Sequence, residues 1–559
     1  MIIRLLPALT LGAFLLPIVV GLAGTLAPAF GVLPAIGAVE PSLAPWRTLL
    51  DWPGFATSLR LTLTVGALAS CAALAAAVAL VIVASRWRRY GRLQSLLTAL
   101  LASPHAAIAL GFAFIIAPSG WIVRIISPEL TGWERPPTGL VTLRDPYGLA
   151  LVAGLAIKEI PYLAIMLVSA LGQVPVEALL QNARAMGYSR TTAWLKLVLP
   201  QAWPQIRLPF YAVVAYSFSV VDQALVLGPG TPPPLAVLAT RWFSDYDVAL
   251  YLPAAAAAIL QLGVVAAAIF ACFLVERLIA RAGRSWAEGG GRSGAADPLV
   301  AVVAGLALVA GALGLASLAA LVLWSVAGPW SFPDAWPVSL TLDAWRSSLG
   351  SIAAPLEATV IAAAVATAIA LVLCIGCLEN EARRARRPGL PTMWIIYVPL
   401  LVPQIAFLFG VQVALVRLDL DGSGAGVIWT HLIFVLPYVF LSLSDPWRAL
   451  DPRYARSAAS LGASPARILL TVKLPILLRP ILVAAAIGVA VSVGLYLPTV
   501  FAGAGRISTV TTEALTLATG ADRRIVSIHG FLQAAVPLLA YGAALLAPRL
   551  AFRHRRGLA

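Results

Sequence analysis

Along the 559 residues of the chain, about twelve almost wholly apolar runs of 20 to 28 residues follow one another. At about 1.5 Å per residue each run is long enough to cross a hydrocarbon layer of roughly 30 Å. They lie near 5–30, 59–84, 96–117, 147–171, 208–228 and 253–275, then 299–326, 356–378, 393–416, 425–444, 481–502 and 528–548; we number them as spans 1 to 12. Charged residues amount to only 11%, against roughly 25% in a soluble protein, which is too little to cover several water-facing domains. The expected fold is all-α: a polytopic membrane protein of about twelve transmembrane helices.

The chain is basic, with 39 Lys and Arg against 24 Asp and Glu, a balance that in a soluble protein would suggest nucleic acid. Position decides otherwise. With the N-terminus in the cytoplasm, 27 of the 39 fall on the cytoplasmic side, 10 fall outside, and Arg60 and Lys158 lie within spans. This asymmetry follows the positive-inside rule, and the basic clusters read as topology anchors. The clusters are Arg86, Arg88, Arg89 and Arg92, then Arg383, Arg384, Arg386 and Arg387, and the tail Arg549, Arg553, Arg555 and Arg556. The partner implied is a lipid bilayer, with no nucleic acid. Cys71, Cys272, Cys374 and Cys377 all sit in apolar spans, so they outline no extracellular disulfide framework, and Cys374 and Cys377 lack the second pair or histidine that a metal site would need. The first apolar run is too long for a signal peptide and is read as a retained span.

An internal repeat divides the chain. The segment Arg281–Pro298 is rich in glycine, serine and charge and reads as a flexible cytoplasmic linker between residues 1–280 and 299–559. Pro104 and Gly111 correspond to Pro403 and Gly410 at an offset of 299, and Pro161-Tyr162 corresponds to Pro437-Tyr438. Gly187, Pro200, Gly228 and Gly230 correspond to Gly462, Pro475, Gly503 and Gly505 at an offset of 275, and Gln261 to Gln533. An even number of spans separates equivalent points, so the two six-span units run parallel.

The long loops between spans 4 and 5 of each half carry a shared pattern: QNARAMGYSRTTAWLKLVLP from Gln181 and RSAASLGASPARILLTVKLP from Arg456. Glycine can take the left-handed conformation that closes a helix. Ser189 and Ser464 are then placed to cap the next helix, with Pro465 at a first position where its missing N–H costs nothing. Trp194, Leu195, Leu197 and Val198, like Ile468, Leu469 and Val472, line one face at helical spacing. The expectation is a short helix-turn-helix with an exposed apolar stripe.

This pattern resembles the EAA loop of binding-protein-dependent ABC importer permeases, in which the loop docks on an ATPase subunit. The matching positions are Ala183, Gly187, Leu197, Leu199 and Pro200 in one copy and Ala458, Gly462, Val472, Leu474 and Pro475 in the other. The motif's glutamate is replaced by Gln181 and Arg456. The resemblance extends along nearly the whole chain to fused permeases of the thiamine and ferric-iron types, the thiamine branch being suggested by the segments around Lys158–Tyr162 and Tyr496–Arg524. It implies two permease domains, two ATPase subunits that use the ATP, a periplasmic substrate-binding protein, and a place in the bacterial inner membrane with both termini cytoplasmic.

None of the three lysines, Lys158, Lys196 and Lys473, follows a glycine, so the chain has no phosphate-binding loop of its own. It is expected to be a transport subunit rather than an enzyme, binding no cofactor and no metal. Charges within a bilayer are costly and mark functional candidates: Lys158 and Glu159 in span 4, and Asp222 with Gln223 in span 5. Lys158 and Glu159 point about 100° apart, so Asp222 is the expected partner of Lys158, in a structural ion pair or on the translocation path. The equivalents Phe434, Val435 and Leu497 are uncharged. His105 and His431 read as satisfied polar groups. An ion-gradient-driven carrier of six-plus-six form is the alternative; it would need acidic relay residues in both halves. A membrane enzyme would need clustered Asp, His or Glu at a membrane surface, and the sequence has no such cluster.

Single cysteines at Ser189 and Ser464, in a background without cysteine, are expected to label only from the cytoplasm, and one at Ser244 only from outside. Labelling of position 189 from the periplasm would exclude this topology.

Overall fold

In a computed structural model the described residues are 2–85, 90–384, 390–520 and 522–551. Arg86, Arg88, Arg89, Arg386, Arg387, Arg553, Arg555 and Arg556 lie outside them. Among the described residues the elements are all helices, with no strand. Nine helices are long and apolar enough to cross a membrane, or up to eleven if each of two sharply bent pairs counts as one span. The expected twelve differ from this at span 5, where the helix Leu199–Ser219 stops and a separate helix, Asp222–Leu227, starts after Val220 and Val221.

Interruptions recur at matched places in the two halves. Span 3 is divided into Tyr90–Ala102 and His105–Ile116, and span 9 into Leu390–Leu401 and Ile405–Arg417. The residues at these breaks include Pro104 and Pro403, because proline lacks the N–H that a continuous helix would use. Span 11 ends as Leu478–Gly494 and resumes as Leu497–Gly503, matching span 5. A broken helix frees backbone groups that lipid cannot satisfy, so side chains must. Gln261 donates to the carbonyl of Phe218 at 3.0 Å. In the second half Gln533 donates to the Thr511 hydroxyl at 2.8 Å, and Thr511 donates to the carbonyl of Val493. Beyond the breaks, two short helices, Leu235–Phe243 and Val510–Leu517, have their first amides held by threonine hydroxyls of spans 2 and 8, Thr62 and Thr359, each at 2.9 Å.

The first span of each half packs across the molecule. Ile2–Ala29 lies along Ile405–Arg417, and Asp297–Ser325 lies along His105–Ile116 and Phe55–Ala84. Without water to drive helices together, such crossings depend on close van der Waals approach at small residues. A Cβ added at Gly410 would collide with the carbonyl of Gly21, and one added at Gly111 with that of Ser317. The N–H of Gly410 also donates to the Thr25 hydroxyl at 3.1 Å. The matched glycines in the sequence are therefore the two crossing points.

Gly111→Val or Gly410→Val is expected to lower the yield of folded, monodisperse protein severely, since overpacking costs about 1–3 kcal/mol even where neighbours can shift and here the obstacle is backbone. Gly12→Val, where nothing lies within 4 Å of an added Cβ, is the control and should give near-normal yield by size-exclusion chromatography.

Candidate functional site

The loops that follow spans 4 and 10 turn with the same backbone. Helix Val176–Ala185 ends at Gly187 with φ 81°, and helix Pro452–Ser460 ends at Gly462 with φ 80°. In each, the N–H of the residue after the glycine returns to an alanine carbonyl: Tyr188 to Ala183 at 3.0 Å, and Ala463 to Ala458 at 3.1 Å. The glycine N–H itself donates one residue later, to Arg184 and Ala459, each at 2.9 Å. This paired bonding is the Schellman closure that a left-handed glycine permits. Ser189 and Ser464 then cap the next turns, accepting from the N–H of Thr192 and of Arg467. Each connector continues through one π-helical turn, Trp194–Val198 or Leu469–Lys473, so Leu197 and Val472 lie within matching wide turns. Leu199 with Pro200 and Leu474 with Pro475 open the helical segments that follow.

The side chains point differently from the expected exposed stripe. Trp194 is 1% exposed and Val198 is fully buried, packed in a cluster with Ile82, Leu163 and Leu167 of the spans above; Ile468 is also buried, with Leu469 and Val472 half-buried. Periodicity alone cannot tell a face that packs on its own protein from one that packs on a partner, which is why the stripe was misplaced. What the loops do expose is the helix before the glycine and its tip. Gln181, Asn182, Arg184 and Ala185 are exposed in the first copy, and Arg453, Arg456, Ser457 and Ala459 in the second. The residue just before each glycine is an exposed large hydrophobic: Met186 at 50% and Leu461 at 88%. The signal that could have found them is an apolar residue at the same repeat position in an otherwise polar turn.

The buried charges are brought together around the breaks in spans 3 and 5, but Lys158 and Asp222 form no ion pair. Lys158 is 3% exposed, and its ammonium donates to the carbonyls of Leu100 at 2.9 Å, Leu101 at 2.8 Å and Ser103. Three donors thus meet three carbonyls at the C-terminal end of Tyr90–Ala102, the end that favours a cation. Its neighbour Glu159 reaches the other side of the same break, 3.2 Å from Nε2 of His105. Because adjacent residues diverge by about 100°, one dipeptide on span 4 clamps both ends of broken span 3. The His105 ring lies 4.5 Å from that of Tyr216, whose hydroxyl donates to Asp222 at 2.9 Å. Gln223 is fully buried, with neither amide atom hydrogen-bonded among the described residues. In the second half His431 plays a comparable structural part, lying 2.8 Å from Ser492 and 2.9 Å from Thr499 on the two sides of the break in span 11. No group of three or more His, Cys, Asp or Glu that could hold a metal occurs among the described residues.

No family model matches the chain. It is 32% identical over 532 residues, 94% of each chain, to the inner membrane ABC transporter permease protein YnjC of Escherichia coli (strain K12). The chain belongs to the ABC transporter permeases. As a multi-pass helical permease of the inner membrane it is a transport subunit, and its family works with ATPase partners.

In this permease Lys158, Glu159, Asp222 and Gln223 are all buried, but Lys158 meets backbone carbonyls, which carry no residue letter, in place of the expected Asp222. Lys158→Met is expected to leave three carbonyls without a donor, and an unsatisfied buried group costs about 1–3 kcal/mol. Folded yield should fall sharply, and adding Asp222→Leu should not restore it. Recovery in the double variant would show an ion pair after all.

Proposed function

We propose that this permease is the membrane-spanning part of an importer in which two ATPase subunits dock, one on each cytoplasmic loop, and a periplasmic binding protein delivers a small solute. The observation that carries the reading is the duplicated loop. Two segments far apart in sequence share a left-handed glycine, a Schellman closure, a serine cap and a π-turn. A connector that only joined two spans would not need that detail twice. The docking surface is the exposed helix and tip of each copy, centred on Met186 and Leu461, with Ala183, Gly187, Ala458 and Gly462 setting the turn and Leu197, Leu199, Pro200, Val472, Leu474 and Pro475 seating it against the spans. Both termini and the segment 281–298 lie on the cytoplasmic side in this reading. Residues 1–280 and 299–559 then form two permease domains, and ATP is bound and used by the partner subunits.

Asp222 and Gln223, beside the partly exposed His105, are the candidates to face the translocated solute, while Lys158 and Glu159 hold the helix break behind them. The likeness of the segments Lys158–Tyr162 and Tyr496–Arg524 to thiamine-type permeases supports a small solute of the thiamine or iron class. The ion-gradient alternative is disfavoured by Phe434, Val435 and Leu497, which leave the second half without a matching charged relay.

Met186→Asp with Leu461→Asp should leave insertion intact, because both side chains are exposed, and should reduce co-purification of the ATPase and its stimulated hydrolysis at least tenfold. Gly187→Val with Gly462→Val, which forces a β-branched residue into a left-handed angle at a cost on the order of 1–2 kcal/mol per site, should uncouple transport in the same way. Normal co-purification and hydrolysis in both double variants would refute docking at these loops.

A further inference from the structure

The segment between the two halves is not a free tether. The helix of span 6 runs on from Tyr251 to Glu288, and the residues after it fold back over the first cytoplasmic loop. The N–H of Ser189 donates to the carbonyl of Arg292 at 3.3 Å, and the Thr192 hydroxyl donates to that of Ser293 at 2.7 Å. The Ser189 hydroxyl lies 3.3 Å from the carboxylate of Asp297, the first residue of the span 7 helix. Lys196 donates to the carbonyls of Trp286 and Gly291, each at 2.9 Å, and its ammonium sits 4.5 Å from the Trp286 ring and 5.3 Å from that of Tyr188. The Arg292 guanidinium also lies over the Tyr188 ring, 5.7 Å from its centroid. Gly291, in a stretch that reads as flexible in the sequence, serves here as an uncrowded backbone acceptor.

The second loop keeps the serine, Ser464, but lacks the aromatic ring, the threonine and the ammonium, with Arg467 in the place of Thr192. Ala463 stands where Tyr188 does and Thr471 where Lys196 does, and the Thr471 hydroxyl is turned to the carbonyl of Arg467 in its own helix. It is held instead from span 8. Glu379 binds both Arg383 at 2.7 Å and Lys473 at 2.6 Å, and Arg383 donates to the carbonyl of Pro465 at 3.2 Å. The counterpart of Lys473 in the first loop is Val198, so this brace cannot form there.

We propose that residues 286–297 are a positioning element for the first coupling loop, with Lys196 and Arg292 as its positioning residues, so that the two ATPase docking points are braced by different bodies. The first moves with the end of span 6 and the start of span 7, and the second with the end of span 8. The proposal rests on the loops being ATPase docking points, and the test keeps the two ideas apart. Thr192→Cys with Ser293→Cys in an otherwise cysteine-free full-length chain should form an intramolecular disulfide in membranes, a result that does not depend on any ATPase; absence of the cross-link overturns the brace. In the complex with its ATPases, Lys196→Met should keep subunit stoichiometry but lower the ratio of permease-stimulated to basal ATP hydrolysis by about fivefold, in line with loss of charge-assisted hydrogen bonds, and Lys196→Arg should largely restore it. An unchanged ratio in Lys196→Met, or one that Lys196→Arg fails to restore, overturns the positioning role. Failure of the wild-type chain to bind an ATPase, with the cross-link formed, would instead remove the docking reading.

Discussion

Every backbone group freed inside the apolar layer must find a partner in the protein, because the hydrocarbon offers none. The polar residues of this permease are arranged around that requirement. Lys158 takes the carbonyls left by the break in span 3, and Glu159 holds the histidine that starts the helix again. His431 joins the two sides of broken span 11, Gln261 reaches the Phe218 carbonyl just before the break in span 5, and Thr62 and Thr359 hold the short helices that follow. Breaks of this kind near the middle of a bilayer are where transporters expose backbone and polar side chains to a solute. In this chain they also fix the direction in which each following helix leaves.

The two halves share a frame and differ in chemistry. Their crossings, breaks and inter-span turns fall at matching places, whereas the charged Lys158, Glu159 and Asp222 have the uncharged counterparts Phe434, Val435 and Leu497 in the second half. The first half places Lys158 and Glu159 at the break in span 3, whereas in the second half His431 links Ser492 and Thr499 across the break in span 11. The matched breaks give the two halves a common geometry, and the charged side chains at the breaks lie in the first half.

Much of this was legible in the sequence. Runs of apolar residues showed a helical membrane protein, and matched proline and glycine showed the repeat. The turn chemistry of Gly187, Ser189, Gly462 and Ser464 followed from what those residues can do. Three features were hidden for physical reasons. Pro403 marked a repeat position but not the sharp bend of 101° found there, since proline in a membrane helix can kink or divide it. Trp194 and Val198 formed a clear stripe whose destination, inward, depends on tertiary packing. The stretch from Gly289 to Ala296 looked flexible because its hydrogen-bonding groups are nearly all backbone, and these acquire meaning only when Lys196 and Thr192 are beside them.

The crossing of the first spans also bears on how such a chain is made. The threonine hydroxyl that meets Gly410 belongs to a residue 385 positions earlier. At synthesis rates of about 5–20 residues per second, the first span must stay in the bilayer for roughly 20–80 s before its companion emerges. During that time its small-residue face, Gly21, Gly24 and Thr25, lies against lipid or against whatever insertion factor shelters it. A membrane chaperone that recognises small, weakly packed helix faces would therefore find its clearest target in the earliest part of this permease, and find it only while the rest is still on the ribosome.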